Sequence, residues 1–188
     1  MLDHIAGPTD SEISALLQKE YAKRGVQFLL GAKVTSIKDK AVTYEKDGKV
    51  EKIEADYALV SIGRRARTAG IGCENIGLKL ERGAIVTNEY GKTNVPGVWA
   101  AGDVNGKSML AHTAYREGEV CINNILGKKD RINYNSIPSV IYTNPEVAAV
   151  GETKESAEKK GMNVKVVKVP MMVSGRYVAE TLRGDGFC

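Results

Sequence analysis

The chain has 188 residues, 43% of them hydrophobic, with 27 lysines and arginines against 23 aspartates and glutamates and a formal net charge of +4. That length can bury a core in one or two domains, and the charges alternate in sign, as in Lys154-Glu155 and Glu158-Lys159-Lys160, so no basic stripe argues for nucleic acid. No apolar run approaches the length that spans a bilayer, and the first residues lack a signal peptide's basic start and long apolar centre, so no membrane role is expected and a cytoplasmic setting is.

In chain order, Met1-Leu2-Asp3-His4-Ile5 is an apolar stub with no glycine loop before it, as in a strand already leaving a sheet. Thr9-Asp10-Ser11-Glu12 has capping-box spacing, with Thr9 as the cap. Ile13, Leu16, Leu17 and Tyr21 then recur at helical spacing, and Gly25 sits where a left-handed residue closes a helix, so a helix should end near Arg24. Residues 26–30 and 33–37 read as strands, and 41–44 pair with 50–53 across a turn containing Asp47-Gly48. Tyr57-Ala58-Leu59-Val60-Ser61-Ile62 is nearly all apolar, as a buried parallel strand would be, and Gly63 closes it. Arg64 and Arg65 follow at the strand's carboxyl end, where they could meet phosphates or simply be solvated. Residues 67–92 hold Gly70, Gly72, Gly77, Gly83 and Gly91 between short apolar patches, an irregular connection with small strands near Leu78 and Ile85.

Thr93-Asn94-Val95-Pro96-Gly97-Val98-Trp99-Ala100-Ala101-Gly102-Asp103 compresses a turn, a short apolar strand at 98–101 and a glycine-carboxylate ending. Ligands of open parallel sheets bind at strand carboxyl ends, where Asp103 could accept hydrogen bonds from sugar or ribityl hydroxyls; a surface aspartate opening a loop is the other reading. A helix starts near Ser108-Met109-Leu110-Ala111-His112 and carries Ala111, Ala114, Gly118, Cys121, Ile122 and Ile125 as a stripe of mostly small residues. Gly127-Lys128-Lys129-Asp130 ends it. From Asn133 the composition turns β-branched: 140–143 and 164–169 read as strands around a helix capped by Thr153 and closed by Gly161, an α+β pattern. Cys73, Cys121 and Cys188 form neither a close pair nor a metal-ligand spacing, and Cys121 reads as a small core residue.

Taken together, Val60-Ser61-Ile62-Gly63-Arg64-Arg65, residues 93–103, Met109 to His112 and Pro138-Ser139-Val140-Ile141-Tyr142-Thr143-Asn144-Pro145-Glu146 resemble, in order and spacing, the dihydrolipoamide dehydrogenases of the flavin disulfide oxidoreductase family. The resemblance covers essentially the whole chain but only the middle of such an enzyme. It implies an α/β fold of incomplete Rossmann-like dinucleotide-binding units with parallel strands, followed by the start of an α+β interface domain. The divisions it implies are 1–66 for the end of the NAD-binding domain, 67–132 for the returning segment of the FAD-binding domain and 133–188 for a truncated interface domain that pairs two subunits.

It assigns FAD contacts to Asp103, Met109, Leu110, Ala111 and His112, and NAD contacts to Val34 and Gly63. No catalytic residue and no metal ligand is assigned within this chain. The family's close cysteine pair, its Gly-x-Gly-x-x-Gly loops and its catalytic histidine are not among these residues, so the chain alone is expected to be inactive. The parent would reoxidise dihydrolipoyl groups of multienzyme complexes and pass the electrons to NAD, as a homodimer that meets their lipoyl domains. Another flavin disulfide reductase, of glutathione or mercuric-ion type, or a non-enzymatic dimerisation module, are the alternatives. Two positions depart from the family pattern: Ala66 stands where proline commonly follows the second arginine, and Asn144 where histidine is frequent.

Overall fold

A computed structural model describes residues 2–181 and 184–188. The elements in chain order are α1 (Ser11–Lys23), β1 (Lys33–Lys38), β2 (Ala41–Lys46), β3 (Lys49–Glu54), β4 (Leu80–Glu81), β5 (Ala84–Ile85), α2 (Ala111–Ile125), β6 (Ser139–Ile141), β7 (Val147–Ala149), α3 (Lys154–Lys159) and α4 (Gly175–Glu180), with single 3-10 turns between several of them. They group into two units, Met1–Ala58 with Pro138–Cys188, and Leu59–Ile137.

In the first unit, α1 is capped by Asp10, not by Thr9. The Asp10 carboxylate accepts from the Glu12 and Ile13 amides at 2.9 and 3.3 Å, while the Thr9 hydroxyl turns back to donate to the Ala6 carbonyl. A charged acceptor competes better than a hydroxyl for the positive end of a helix. Arg24 and Gly25 (φ +88°) end it as expected. β1, β2 and β3 form an antiparallel meander joined by Asp39-Lys40 and Asp47-Gly48, all four residues at positive φ, which matches the right-handed strand twist of tight hairpins. β6 and β7 are a second antiparallel pair. Two distant segments of this unit meet where the Ser11 hydroxyl donates to the Glu155 carboxylate at 2.6 Å and Lys168 pairs with Glu12.

The second unit is built on Cys73, Ile85 and Ala100, with Leu78 and Val104 packed against them. β4 and β5 pair across Arg82-Gly83. α2 turns Thr113, Glu117, Val120 and Cys121 inward and ends at Leu126, with Gly127 at φ +77°. Arg116 on α2 grips Asp130 through two parallel bonds of 2.9 and 2.6 Å, and the Asn123 amide adds a third at 2.8 Å, so the segment leaving the helix is tied back onto it.

Those bonds hold the Asp130 carboxyl down at about 2, Arg116 being the main cause and Asn123 the next. A carboxyl whose folded value is depressed contributes stability that is present above its unfolded value near 4 and is lost as pH falls through about 2. Acid unfolding between pH 4 and 2 should therefore be shallower in Asp130→Asn than in the unsubstituted chain, as followed by circular dichroism. Superimposable acid profiles would mean that the pair carries no such linkage.

Several expected strands are absent. Residues 57–62 form no strand: Tyr57, Leu59 and Ile62 are more than nine-tenths exposed. A doubly covered parallel strand needs partners on both edges, and no described strand lies beside it; every sheet among the described residues is antiparallel. Residues 26–30 and 164–169 likewise lie outside any strand, with several exposed valines. Their β-branched and apolar composition selects a strand only where an edge is available. Residues 98–101 reduce to an isolated bridge between Lys92 and Trp99. On α2 the small-residue stripe packs only in part: Cys121 is buried and Ala114 and Gly118 are half-buried, but Ala111, Ile122 and Ile125 are exposed, because the buried arc follows Thr113, Glu117, Val120 and Cys121.

Candidate functional site

The site lies within the second unit and is built on a chain reversal. The Asn88 side chain accepts from the Tyr90 and Lys92 amides at 3.0 Å each, forcing a tight turn that only a left-handed residue can complete, and Gly91 supplies it at φ +71°. The returning strand is then stitched alongside: the Thr93 amide donates to the Val98 carbonyl and the Ala100 amide to the Gly91 carbonyl, at 3.1 and 3.0 Å. This delivers Gly102 to the interior with φ +84° and ψ −163°, a conformation open to glycine alone. A Cβ there would stand 3.4 Å from the Ala114 Cβ, so the turn lies against the first turns of α2.

Asp103 follows as the first residue of a 3-10 turn, Asp103–Asn105, closed by Gly106. It is exposed, and its carboxylate has no hydrogen-bond partner among the described residues, while its neighbours are pinned. Asn105 is buried and its side chain accepts from the Lys107 amide at 3.0 Å; the Lys107 ammonium donates to the Thr87 carbonyl at 2.8 Å. A fixed turn thus presents an acceptor-only group to solvent.

Behind it stands Glu117, 3% exposed. One carboxylate oxygen accepts from the Gly102 amide and the other from the Tyr134 hydroxyl at 2.6 Å. Burial first, and then the bond to Glu117, push the Tyr134 phenol well above the ordinary tyrosine range. Burial, followed by the Glu117 charge, raises the Cys121 thiol. A high thiol value suits an inert packed cysteine and not a nucleophile.

Met109 and Leu110 are half-buried, and Ala111 and His112 are exposed at the start of α2, where Leu110 offers the helix no side-chain cap. The structure therefore brings Asp103 and the 109–112 segment into one unit on the two ends of the same loop. Gly63 is exposed in this unit at φ +106°, and Val34 lies exposed on β1 of the other unit, beside an irregularity in its pairing. Arg64 and Arg65 line an open cleft of about 450 Å³ with Arg82, Thr87, Lys107 and Met109.

Glu117 was not legible from the sequence, because a glutamate on an amphipathic helix reads as a surface residue; its one signal is position, four residues before Cys121 on the same face. Arg82 was missed because it sits in a hairpin turn. Among the described residues no cluster of histidine, cysteine, aspartate or glutamate is placed to hold a metal, and no helix is long and apolar enough to cross a membrane.

Residues 1–118 match the family model described as pyridine nucleotide-disulphide oxidoreductase, and residues 137–188 match that family's dimerisation domain. The chain is 42% identical over 181 residues to dihydrolipoyl dehydrogenase 3 of Pseudomonas putida, covering 93% of this chain and 39% of that protein. It is 45% identical over 179 residues to the dihydrolipoyl dehydrogenase of Chlamydia muridarum, covering 94% and 38%. Among solved structures, LpdA from Mycobacterium tuberculosis superimposes with a TM-score of 0.84 at 26% identity, over 99% of this chain and 41% of the other. The chain thus spans about two fifths of the length of these relatives.

Proposed function

This chain belongs to the pyridine nucleotide-disulphide oxidoreductase family, and from that membership we propose that it is part of a dihydrolipoyl dehydrogenase, a flavoprotein oxidoreductase that takes electrons from dihydrolipoyl groups through a cysteine pair and FAD to NAD. The single observation carrying the reading is the 42% identity to the Pseudomonas putida enzyme across 93% of the chain. The local chemistry fits it. Gly102 lets the turn lie against Ala114 of α2, and Asp103 is an exposed acceptor on that fixed turn, as a hydroxylated cofactor chain requires.

When bound, FAD supplies the two-electron chemistry. In this reading Asp103 accepts a hydrogen bond from the ribityl chain, Met109, Leu110, Ala111 and His112 contact the flavin ring, and Val34 and Gly63 contact NAD. Residues 1–66 then complete an NAD-binding domain, with 57–62 joining a parallel sheet of the intact protein; 67–132 return to the FAD-binding domain, and 133–188 begin the interface of a homodimer. The parent works in the cytoplasm on the lipoyl domains of 2-oxoacid dehydrogenase or glycine cleavage complexes.

The 188 residues hold three free cysteines, with Cys73 and Cys121 buried and Cys188 exposed in the other unit, and no Gly-x-Gly-x-x-Gly loop to seat a pyrophosphate on a helix N-terminus. The chain by itself should therefore turn over no dihydrolipoamide with NAD, while retaining weak affinity for FAD. The purified chain mixed with FAD, NAD and dihydrolipoamide should give no NADH absorbance above a protein-free blank, yet quench flavin fluorescence on titration. Turnover that tracks the chain would overturn the first expectation, and absence of any FAD uptake would overturn the placement of the flavin site.

A further inference from the structure

Glu117 is the one acidic side chain among the buried described residues, and the proposed chemistry makes no use of it. A buried carboxylate costs several kcal/mol unless its oxygens are satisfied, so at a position that merely fills space an apolar residue would be favoured. Here both oxygens are taken by donors far apart in sequence. The Gly102 amide lies 15 residues before Glu117 and the Tyr134 hydroxyl 17 residues after it. Gly102 is buried with its backbone in a glycine-only conformation; its carbonyl is held locally by the Asn105 amide at 3.0 Å, whereas its N–H, which belongs to the Ala101–Gly102 peptide, is taken by Glu117. The next residue is Asp103.

We infer that Glu117 is a positioning residue for the cofactor turn: through the Gly102 amide it fixes the Ala101–Gly102 peptide that leads into the 3-10 turn presenting Asp103, and Tyr134 holds the Glu117 carboxylate in the rotamer that does so. Without this acceptor the Gly102 N–H would be buried and unpaired, and the turn would rotate to find water. The geometry also excludes the Gly102 amide itself as a cofactor donor, since its hydrogen is already committed. Asp103 then acts on the ligand alone, and its exposure follows from a backbone held from behind.

This inference rests on the reading that Asp103 binds FAD, and the test separates the two. The full 188-residue chain, nitrogen-15 labelled, is compared with Glu117→Ala, Glu117→Gln, Glu117→Asp and, as a reference, Asp103→Asn. The readouts are the Gly102 amide proton by NMR and the FAD dissociation constant by fluorescence quenching, both taken well below each variant's melting temperature. In the unsubstituted chain the Gly102 proton should lie downfield and exchange slowly. Glu117→Ala should move it upfield, speed its exchange and raise the FAD dissociation constant about tenfold, the size of one lost hydrogen bond.

Glu117→Gln should restore both readouts, because its amide oxygen can accept from Gly102 while its amide nitrogen donates to the Tyr134 oxygen. Glu117→Asp keeps the charge but is a methylene short of spanning both donors. It should shift the two readouts in the same direction as alanine, and it carries the test if Glu117→Ala does not fold. An unchanged FAD constant in Glu117→Ala or Glu117→Asp beside a weakened Asp103→Asn overturns the positioning role and leaves the FAD reading standing. An unchanged constant in Asp103→Asn overturns the FAD reading, and the positioning role with it.

Discussion

Gly91→Ala is expected to destabilise the chain by about 2–5 kcal/mol, the sum of a backbone and a packing cost. Gly91 sits at φ +71°, where an L side chain costs about 1–2 kcal/mol. A Cβ built there would stand 2.4 Å from the Cys121 sulfur and 3.7 Å from the Ala100 carbonyl oxygen. Cys121 is buried on the packed face of α2 and cannot swing into solvent, so the helix and the turn have to part, at the roughly 1–3 kcal/mol typical of overpacking.

Gly97 separates the two costs. It has nearly the same backbone, φ +78°, but a Cβ added there would meet no atom within 4 Å, so Gly97→Ala should lose only the backbone part. Urea unfolding of both variants, and of Gly91→Ala combined with Cys121→Ala, measures the difference. The double substitution should recover most of the packing cost. Equal losses for Gly91→Ala and Gly97→Ala would mean that the close approach of Cys121 has no energetic weight.

Asp103→Ala in the same chain should raise the FAD dissociation constant by roughly one to two orders of magnitude, since a hydrogen bond to a charged acceptor is worth about 1.5–3 kcal/mol. The folded state should be little affected, because the carboxylate is exposed and bonds to no other described residue. Affinity and stability therefore dissociate: titration with FAD should register the change while the urea midpoint stays in place. A constant that does not move would take Asp103 out of the site, and a shifted midpoint would mean that the side chain supports the turn instead of the ligand.

The readable parts of the sequence were those governed by local rules. The helix over residues 11–23 and its end at Gly25, the turn at Asp47-Gly48, the Thr153 cap and the stop at Gly161 each depend on residues within one turn of each other. The capping pattern even left the right helix with the wrong cap, since Thr9 and Asp10 are adjacent and only the fold decides which side chain faces the free amides. Periodicity failed where burial had to come from elsewhere. Residues 57–62 and 164–169 have the composition of strands, yet a strand exists only through its neighbours, and none of the described strands pairs with either.

The candidate site divides along the same line. Gly102-Asp103 could be picked out by type and order, because a glycine before a carboxylate at the end of an apolar run states both a backbone freedom and an acceptor. Family membership too was written in the order of a few short motifs. What holds the turn was decided only in three dimensions: Glu117 acquires its place from Gly102 and Tyr134, and Gly91 its necessity from Cys121, contacts between residues 15 to 30 positions apart. No one-dimensional spacing encodes these pairs, because the distance between such residues is set by how a loop returns along a helix, and burial converts an ordinary surface glutamate into a fixed acceptor only after that return has happened.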